Sequence, residues 1–232
     1  MARQNIYDDP EFFAGYRNLR ENLTGLHELV IRPSLPELLP SLTDKRVVDL
    51  GCGDGWFCDL ALTQGARSVI GIDPSERMLE RAQAAITGDR VDFVRAFAED
   101  VELPNASADV VVSVLALHYV ADYAAVVRAV FNWLVDGGVF VMQVEHPIAT
   151  SERDPARDYD DEGLRTEHWY VDGVVKYHRR TETLLNTLID TGFVIDRIVE
   201  PAATRAAVAA AGRQESGVIR PEVLGVRATS GT

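Results

Sequence analysis

A doubly wound α/β sheet is the fold this sequence predicts, and three observations predict it. Apolar runs alternate with helical patterns, those runs are β-branched without polar alternation, and a glycine-rich turn joins one of them to a helix. Near-continuous apolar strands need cover on both faces, which a parallel sheet with right-handed crossovers provides. With 232 residues, 47% hydrophobic and 25% charged, the chain suits one domain over 1–232 and is short of two.

Along residues 7–39, Phe12, Phe13, Tyr16, Leu19, Leu23, Leu26 and Leu29 recur at helical spacing, interrupted by Pro33, Pro36 and Pro40. Two short helices and a turn follow from that, within an N-terminal segment 1–44. Arg46–Leu50 reads as strand, 51–55 as a tight turn and 56–64 as helix. The rhythm continues with strand 68–72, helix 75–85, strands 91–95 and 109–114, helix 123–134 and strand 138–144, completing a core over 45–144. It lapses over 145–180, a polar and aromatic insert with a hairpin expected at 170–175; an insert that long is usually functional. Helix 181–191 and strands 193–199 and 222–227 close the chain over 181–232, with 201–219 as their connection.

A net charge of −13 and the absence of a lysine or arginine cluster argue against nucleic acid as a partner. Cys52 and Cys58 are the only cysteines, too few for a disulfide framework or a four-ligand zinc site. Asp160-Asp161-Glu162 reads as a solvated charge run, so no metal is expected. Residues 1–10 lack a basic and then apolar leader pattern, and no run of 18 apolar residues occurs, so a cytoplasmic protein without membrane insertion is expected.

The turn Gly51-Cys52-Gly53-Asp54-Gly55 leads from a buried strand into a helix, where missing Cβ atoms let backbone N–H groups approach a nucleotide-like ligand. Its glycine spacing departs from the Gly-x-Gly-x-x-Gly dinucleotide fingerprint. Asp73 ends the next strand, where a carboxylate can accept hydrogen bonds from both ribose hydroxyls. Asp49, within the first strand, is expected to orient the loop backbone.

Val47-Val48-Asp49-Leu50-Gly51-Cys52-Gly53-Asp54-Gly55, followed by Ile72-Asp73-Pro74, Ala98-Glu99-Asp100 before Pro104, and Asp109 to Ser113, resembles the class I S-adenosylmethionine-dependent methyltransferases. The resemblance spans residues 47–144 strongly. It implies a Rossmann-like seven-stranded sheet, mostly parallel with the last strand antiparallel, and an N-terminal helical lid. It also implies S-adenosylmethionine as cofactor and S-adenosylhomocysteine as product. Gly51, Cys52, Gly53 and Gly55 would wrap the methionine and ribose, with Asp73 and Pro74 beside the ribose. Met78, Ala98, Glu99 and Asp100 would surround the adenine, and Val114 and His118 would lie beneath the sulfonium. From the lid, Tyr16 and Arg20 are expected at the cofactor, Arg17 being a further candidate, and Tyr7 at the acceptor.

Ligands of an open α/β sheet bind at the carboxyl ends of its strands, so Glu145-His146-Pro147 falls beside the same cleft. Methyl transfer is an in-line displacement in which positioning dominates, and a base is needed only where the nucleophile carries a proton. His146 is the first candidate base, Glu145 the second and His178 or His118 the third. Tyr7, Tyr119, Trp169 and Tyr170 are expected around a flat acceptor. The alternative is that Glu145 or His146 ties down the insert and that His178-Arg179 caps a helix start. Glu145 to Ile148, Lys176 to Arg179 and Glu200-Pro201 further resemble bacterial small-molecule methyltransferases, some of which act on nitrogen heterocycles by ring N-methylation or indole C3-methylation in secondary metabolism. A small-molecule acceptor and a monomer or homodimer are therefore expected, with O- or carboxyl-methylation as an alternative. The Asp/Asn-Pro-Pro-Tyr tetrapeptide of amino-methylating nucleic-acid enzymes does not occur after the fourth strand, where Ser113-Val114-Leu115-Ala116 stands. A nicotinamide-dependent oxidoreductase and a non-catalytic cofactor-binding protein are the rival readings.

Overall fold

The computed structural model describes residues 3–22, 25–154, 156–204, 209 and 220–231. Seven strands form the main sheet: β1 Arg46–Leu50, β2 Ser68–Asp73, β3 Val91–Arg95, β4 Ala108–Val114, β5 Leu134–Glu145, β8 Phe193–Val199 and β9 Val223–Ser230. The remaining two, β6 Gly163–Trp169 and β7 Val171–His178, pair as a separate hairpin. The main sheet has the order β3-β2-β1-β4-β5-β9-β8. Strands β1 to β5 pair in parallel, and β9 runs antiparallel between β5 and β8. This is the Rossmann-like methyltransferase topology that the resemblance implies.

The helices are α1 Pro10–Glu21, α2 Arg32–Ser34, α3 Trp56–Thr63, α4 Glu76–Ala85, α5 Tyr123–Trp133, α6 Pro147–Glu152 and α7 Thr181–Thr191. Local chemistry fixes several starts. Asp9 accepts from the N–H groups of Glu11 and Phe12 ahead of Pro10, and Ser75 and Asp122 cap α4 and α5 through their side-chain oxygens. The central strands are apolar because both faces are covered. Val48, Leu50 and Val111 pack with Val127, Val130 and Leu188 of α5 and α7, while Val47, Val110 and Val112 pack with Phe57, Ala61 and Leu79 of α3 and α4. Strand order reverses between β1 and β4, so the carboxyl ends of these two neighbours diverge into a crevice.

Two segments depart from the sequence expectation. The second helical stretch is a composite, a π turn His27–Ile31 followed by α2 and a 3-10 turn Leu35–Glu37, and Pro33 and Pro36 sit in its first-turn positions without ending it. In the insert the hairpin is longer than expected and turns at Tyr170 (φ 64°), leaving Asp172-Gly173 inside β7. Leu23 and most of the connection 201–219 lie outside the described residues. Among the described residues no helix is long and apolar enough to cross a membrane.

Candidate active site

The crevice outside β1 and β4 widens into a cleft of about 1040 Å³, walled by the N-terminal segment, the glycine turn, the ends of β4 and β5, and the hairpin. Gly51, Gly53 and Gly55 have φ of 83°, 54° and 82°. A Cβ on Gly51 would stand 2.2 Å from the Ala116 Cβ, and one on Gly55 2.8 Å from Ile86 Cδ1. The glycines are therefore required twice over, by backbone conformation and by closeness to the β4 turn and α4. The N–H groups of Gly51 and Cys52 donate to the Ile72 carbonyl, holding the turn against β2.

Asp73 is buried at the end of β2, its carboxylate accepting from Gly53 N and Ser75 N, each at 2.9 Å. Burial raises its pKa to about 6 against the lowering effect of those two hydrogen bonds. Asp49 is buried and pushed up to about 7 by desolvation, and its carboxylate accepts from the Cys58 thiol at 3.3 Å, not from a loop N–H as expected. Pro74, Met78, Ala98, Glu99, Val114 and His118 all line the cleft. Glu99 accepts from Ala121 N at 3.1 Å. Asp100 does not line it. It is exposed and pairs with Arg3, because the 3-10 turn Ala98–Asp100 points its last residue outward.

The N-terminal segment covers this end. Asp8 accepts from Ser75 Oγ at 2.6 Å and from Arg77 N at 3.2 Å at the start of α4. Arg20 reaches Glu28 at 2.7 Å and lies 3.8 Å from Asp54 of the glycine turn, and its buried Nε has no hydrogen-bond partner. Arg17, by contrast, faces solvent beside Glu21. Tyr16 lines the cleft, its hydroxyl pushed up to about 12 by burial. These residues fit S-adenosylmethionine: a glycine turn with no room for a side chain, a carboxylate at the end of β2 able to accept from hydroxyls, and a guanidinium on the cleft wall.

At the far end, aromatic rings enclose the cleft. Tyr7 stands 5.0 Å from Phe12, 5.1 Å from Tyr16 and 6.0 Å from Tyr119, all edge to face, and Trp169 stands 6.1 Å from Tyr16. Tyr170 also lines it and packs over Gly15, where a Cβ would come within 2.5 Å of the ring. Beneath the rings lies a four-charge cluster. Glu145 receives Arg153 at 2.6 Å and Lys176 at 2.9 Å, and Glu167 receives Lys176 at 2.5 Å and Arg153 at 3.3 Å. Burial alone would raise the Glu145 pKa, but Arg153 and Lys176, cationic where the buried His118 imidazole is neutral, hold it below the usual carboxylate value. Glu145 is thus an ionised carboxylate held in ion pairs, which makes it a weak base.

His146 and His178 are corrected as well, for neither lines the cleft. His146 accepts from Ile148 N with Nδ1 (3.1 Å), capping α6, and pairs through Nε2 with Glu200 at 2.8 Å. His178 meets Thr150 Oγ1 through Nδ1 and the Tyr159 carbonyl through Nε2, both at 2.7 Å. With both ring nitrogens engaged, each histidine fastens the insert and has no site left for a substrate proton.

Sequence reasoning missed Lys176, Arg153, Glu167, Asn5, His27 and Trp56, all of which line the cleft. Lys176 carried a signal: Val174, Lys176 and His178 alternate as the buried face of β7. Among the described residues no group of three or more His, Cys, Asp or Glu is placed to hold a metal ion.

Known proteins bear on the cleft directly. Residues 48–142 match the methyltransferase domain family. The structure of an S-adenosylmethionine-dependent methyltransferase from Mesorhizobium loti is 39% identical, with a TM-score of 0.78 over 88% of this chain and 98% of that one. One from Listeria monocytogenes carrying the same class name is 33% identical, again with a TM-score of 0.78, over 91% and 99%. A Haemophilus influenzae protein of no assigned function is 33% identical over 85% of this chain and 86% of its own. Relatives that match nearly end to end share the fold, and the family match spans the strand, turn and helix of the glycine cradle, so the chain belongs to the S-adenosylmethionine-dependent methyltransferases.

Proposed function

We propose that the protein transfers the methyl group to a small, flat nitrogen heteroaromatic, at a ring nitrogen or at an electron-rich ring carbon such as indole C3. One observation carries this reading: the acceptor end is walled by aromatic rings while its two cations, Lys176 and Arg153, are both paired with Glu145 and Glu167. A carboxylate or phosphate acceptor would need a free cation there, and carboxylates outnumber cations along the whole lining. That weighs against carboxyl methylation. It favours a neutral or weakly cationic ring, which stacks on aromatic faces.

The bound cofactor supplies a methyl group already activated by its sulfonium. The chain's own residues then have three tasks. Gly51 to Gly55, Asp73 and Arg20 hold the donor, Tyr7, Tyr16, Tyr119 and Trp169 hold the acceptor flat in line with it, and the N-terminal segment excludes water. Burial pushes His118 down to about 3, so its imidazole is neutral and a weak base. A ring nitrogen that carries its own lone pair needs no stronger one. The two free thiols, Cys52 and Cys58, support a reducing compartment, the cytoplasm. Residues 1–44, 45–144, 145–180 and 181–232 then act as lid, donor core, acceptor insert and closing unit of one domain.

The test is labelled-methyl transfer over a panel of indoles, pterin-like heterocycles, phenols and carboxylic acids. Label in the nitrogen heterocycles supports the proposal, and label only in carboxylic acids or phenols overturns it.

A further inference from the structure

Four histidines stand in or beside the insert: His146 and His178 are satisfied at both ring nitrogens, and His168 is exposed beside Asp172. His118 is different. It is 6% exposed, lines the cleft, and its Nδ1 is buried without a hydrogen-bond partner. Nδ1 has almost no exposed surface, so a ligand in the cleft can meet the ring only through Nε2, which no hydrogen bond among the described residues engages.

Its position decides which ligand. The turn after β4 presents two ends: Ala116 packs on Gly51 at the cofactor cradle, whereas His118 and Tyr119 lean toward the hairpin. The His118 ring lies 4.5 Å from the Tyr119 ring, and Lys176 Nζ stands 5.8 Å from the centre of the latter. Arg179 ties the backbone on both sides of it, donating to the carbonyls of Leu117 and Val120. The charged neighbours of His118 are Glu145, Lys176 and Arg153, the cluster beneath the aromatic rings, together with Arg179.

We propose that His118 is an acceptor-reading residue, its imidazole forming a hydrogen bond with a ring heteroatom of the substrate while Tyr7, Tyr119 and Trp169 hold the ring's faces. A neutral imidazole carries one N–H and one bare nitrogen, so it can accept from an indole-type N–H or donate to a pyridine-type nitrogen. Specificity then arises by rejection: a flat hydrocarbon of the same size fills the aromatic walls but leaves Nε2 unpaired. This assignment rests on the acceptor class proposed above and moves His118 from the cofactor to the acceptor.

The experiment uses the full chain loaded with S-adenosylhomocysteine and three probes, indole, quinoline and naphthalene, with affinity read by calorimetry and the His118 ring nitrogens by ¹⁵N NMR. Indole or quinoline is expected to bind about five- to tenfold more tightly than naphthalene, the worth of one net hydrogen bond, and to shift the His118 resonances. In His118→Phe the preference disappears with S-adenosylhomocysteine affinity unchanged, and in His118→Gln, which restores a polar atom near Nε2, it returns. Equal binding of all three probes, no binding of any, or a preference that survives in His118→Phe overturns the assignment. Heterocycles that bind with a His118-dependent preference but never become methylated sink the acceptor class and leave His118 standing. Methylation without that preference does the reverse.

Discussion

Lys176 Nζ lies 2.9 Å from Glu145 Oε1, and both side chains are buried where the end of β5 meets β7. This pair joins the insert to the sheet and neutralises the floor of the acceptor end. Lys176→Met is expected to leave Glu145 with Arg153 alone, costing about 3 kcal/mol of stability in urea unfolding. Affinity for S-adenosylhomocysteine stays as it was, because the cradle lies at the opposite end. Equal loss of cofactor and acceptor binding would instead mean that the pair supports the whole cleft.

Gly51→Ala tests the cradle. The backbone there has φ 83°, and the new Cβ would stand 2.2 Å from the Ala116 Cβ, so the turn or the β4 loop must move. Affinity for S-adenosylhomocysteine is expected to fall at least about tenfold, equivalent to ~1.4 kcal/mol. Circular dichroism should show the fold intact, since the strain is confined to one turn.

Asp73 gives the cofactor site a pH dependence with a definite sign. Its pKa stands at about 6 because burial disfavours the charged form. Ribose hydroxyls donating to the carboxylate favour the ionised form, so binding lowers this pKa and releases a proton. Affinity for S-adenosylhomocysteine therefore rises as pH increases through 6, and calorimetry in buffers of different ionisation enthalpy should detect proton release near pH 6. Asp73→Asn should abolish both effects.

The donor end was legible because its requirements are local. Gly51, Gly53, Gly55 and Asp73 are set by the strand-turn-helix they occupy, and chain order places them together. The nicotinamide reading, which shares those residues, falls with the family assignment and the full-length relatives. The acceptor end was less legible because the insert builds it from side chains distant in sequence. Residue type nominated His146 and His178 as bases, but only the fold shows that Glu200, Thr150 and the Tyr159 carbonyl occupy their nitrogens. Lys176 stood out only as part of the run Lys176 to Arg179, and its place in the cleft was missed because β7 was expected to be a shorter arm of a tighter hairpin.

His146 separates a structural role from a chemical one. Asparagine can keep the bond to Ile148 N that caps α6, while it gives up the pairing with Glu200, whose side chain is 55% exposed. His146→Asn should therefore retain methyl transfer within about twofold and lose at most ~1 kcal/mol of stability. A large fall in kcat with unchanged folding would restore His146 as a base.

Gln4 couples the N-terminal segment to the insert across the mouth of the cleft. Its side-chain amide donates to the Gly173 carbonyl and accepts from Val175 N, both at 2.8 Å, on the edge of β7. Four residues later Asp8 fastens the same segment to α4, so the first turn of chain spans from acceptor wall to cofactor wall. Removing one bridge should free the segment without disturbing the core, because Gln4 is exposed and packs in neither sheet face. Gln4→Ala is expected to speed dissociation of S-adenosylhomocysteine about fivefold, as loss of ~1 kcal/mol of closure would. The unfolding midpoint should hold, and hydrogen exchange should quicken at residues 3–8 and along β7 together. Exchange that quickens in the N-terminal segment alone would show that the two walls open independently, and would confine the gate to Asp8.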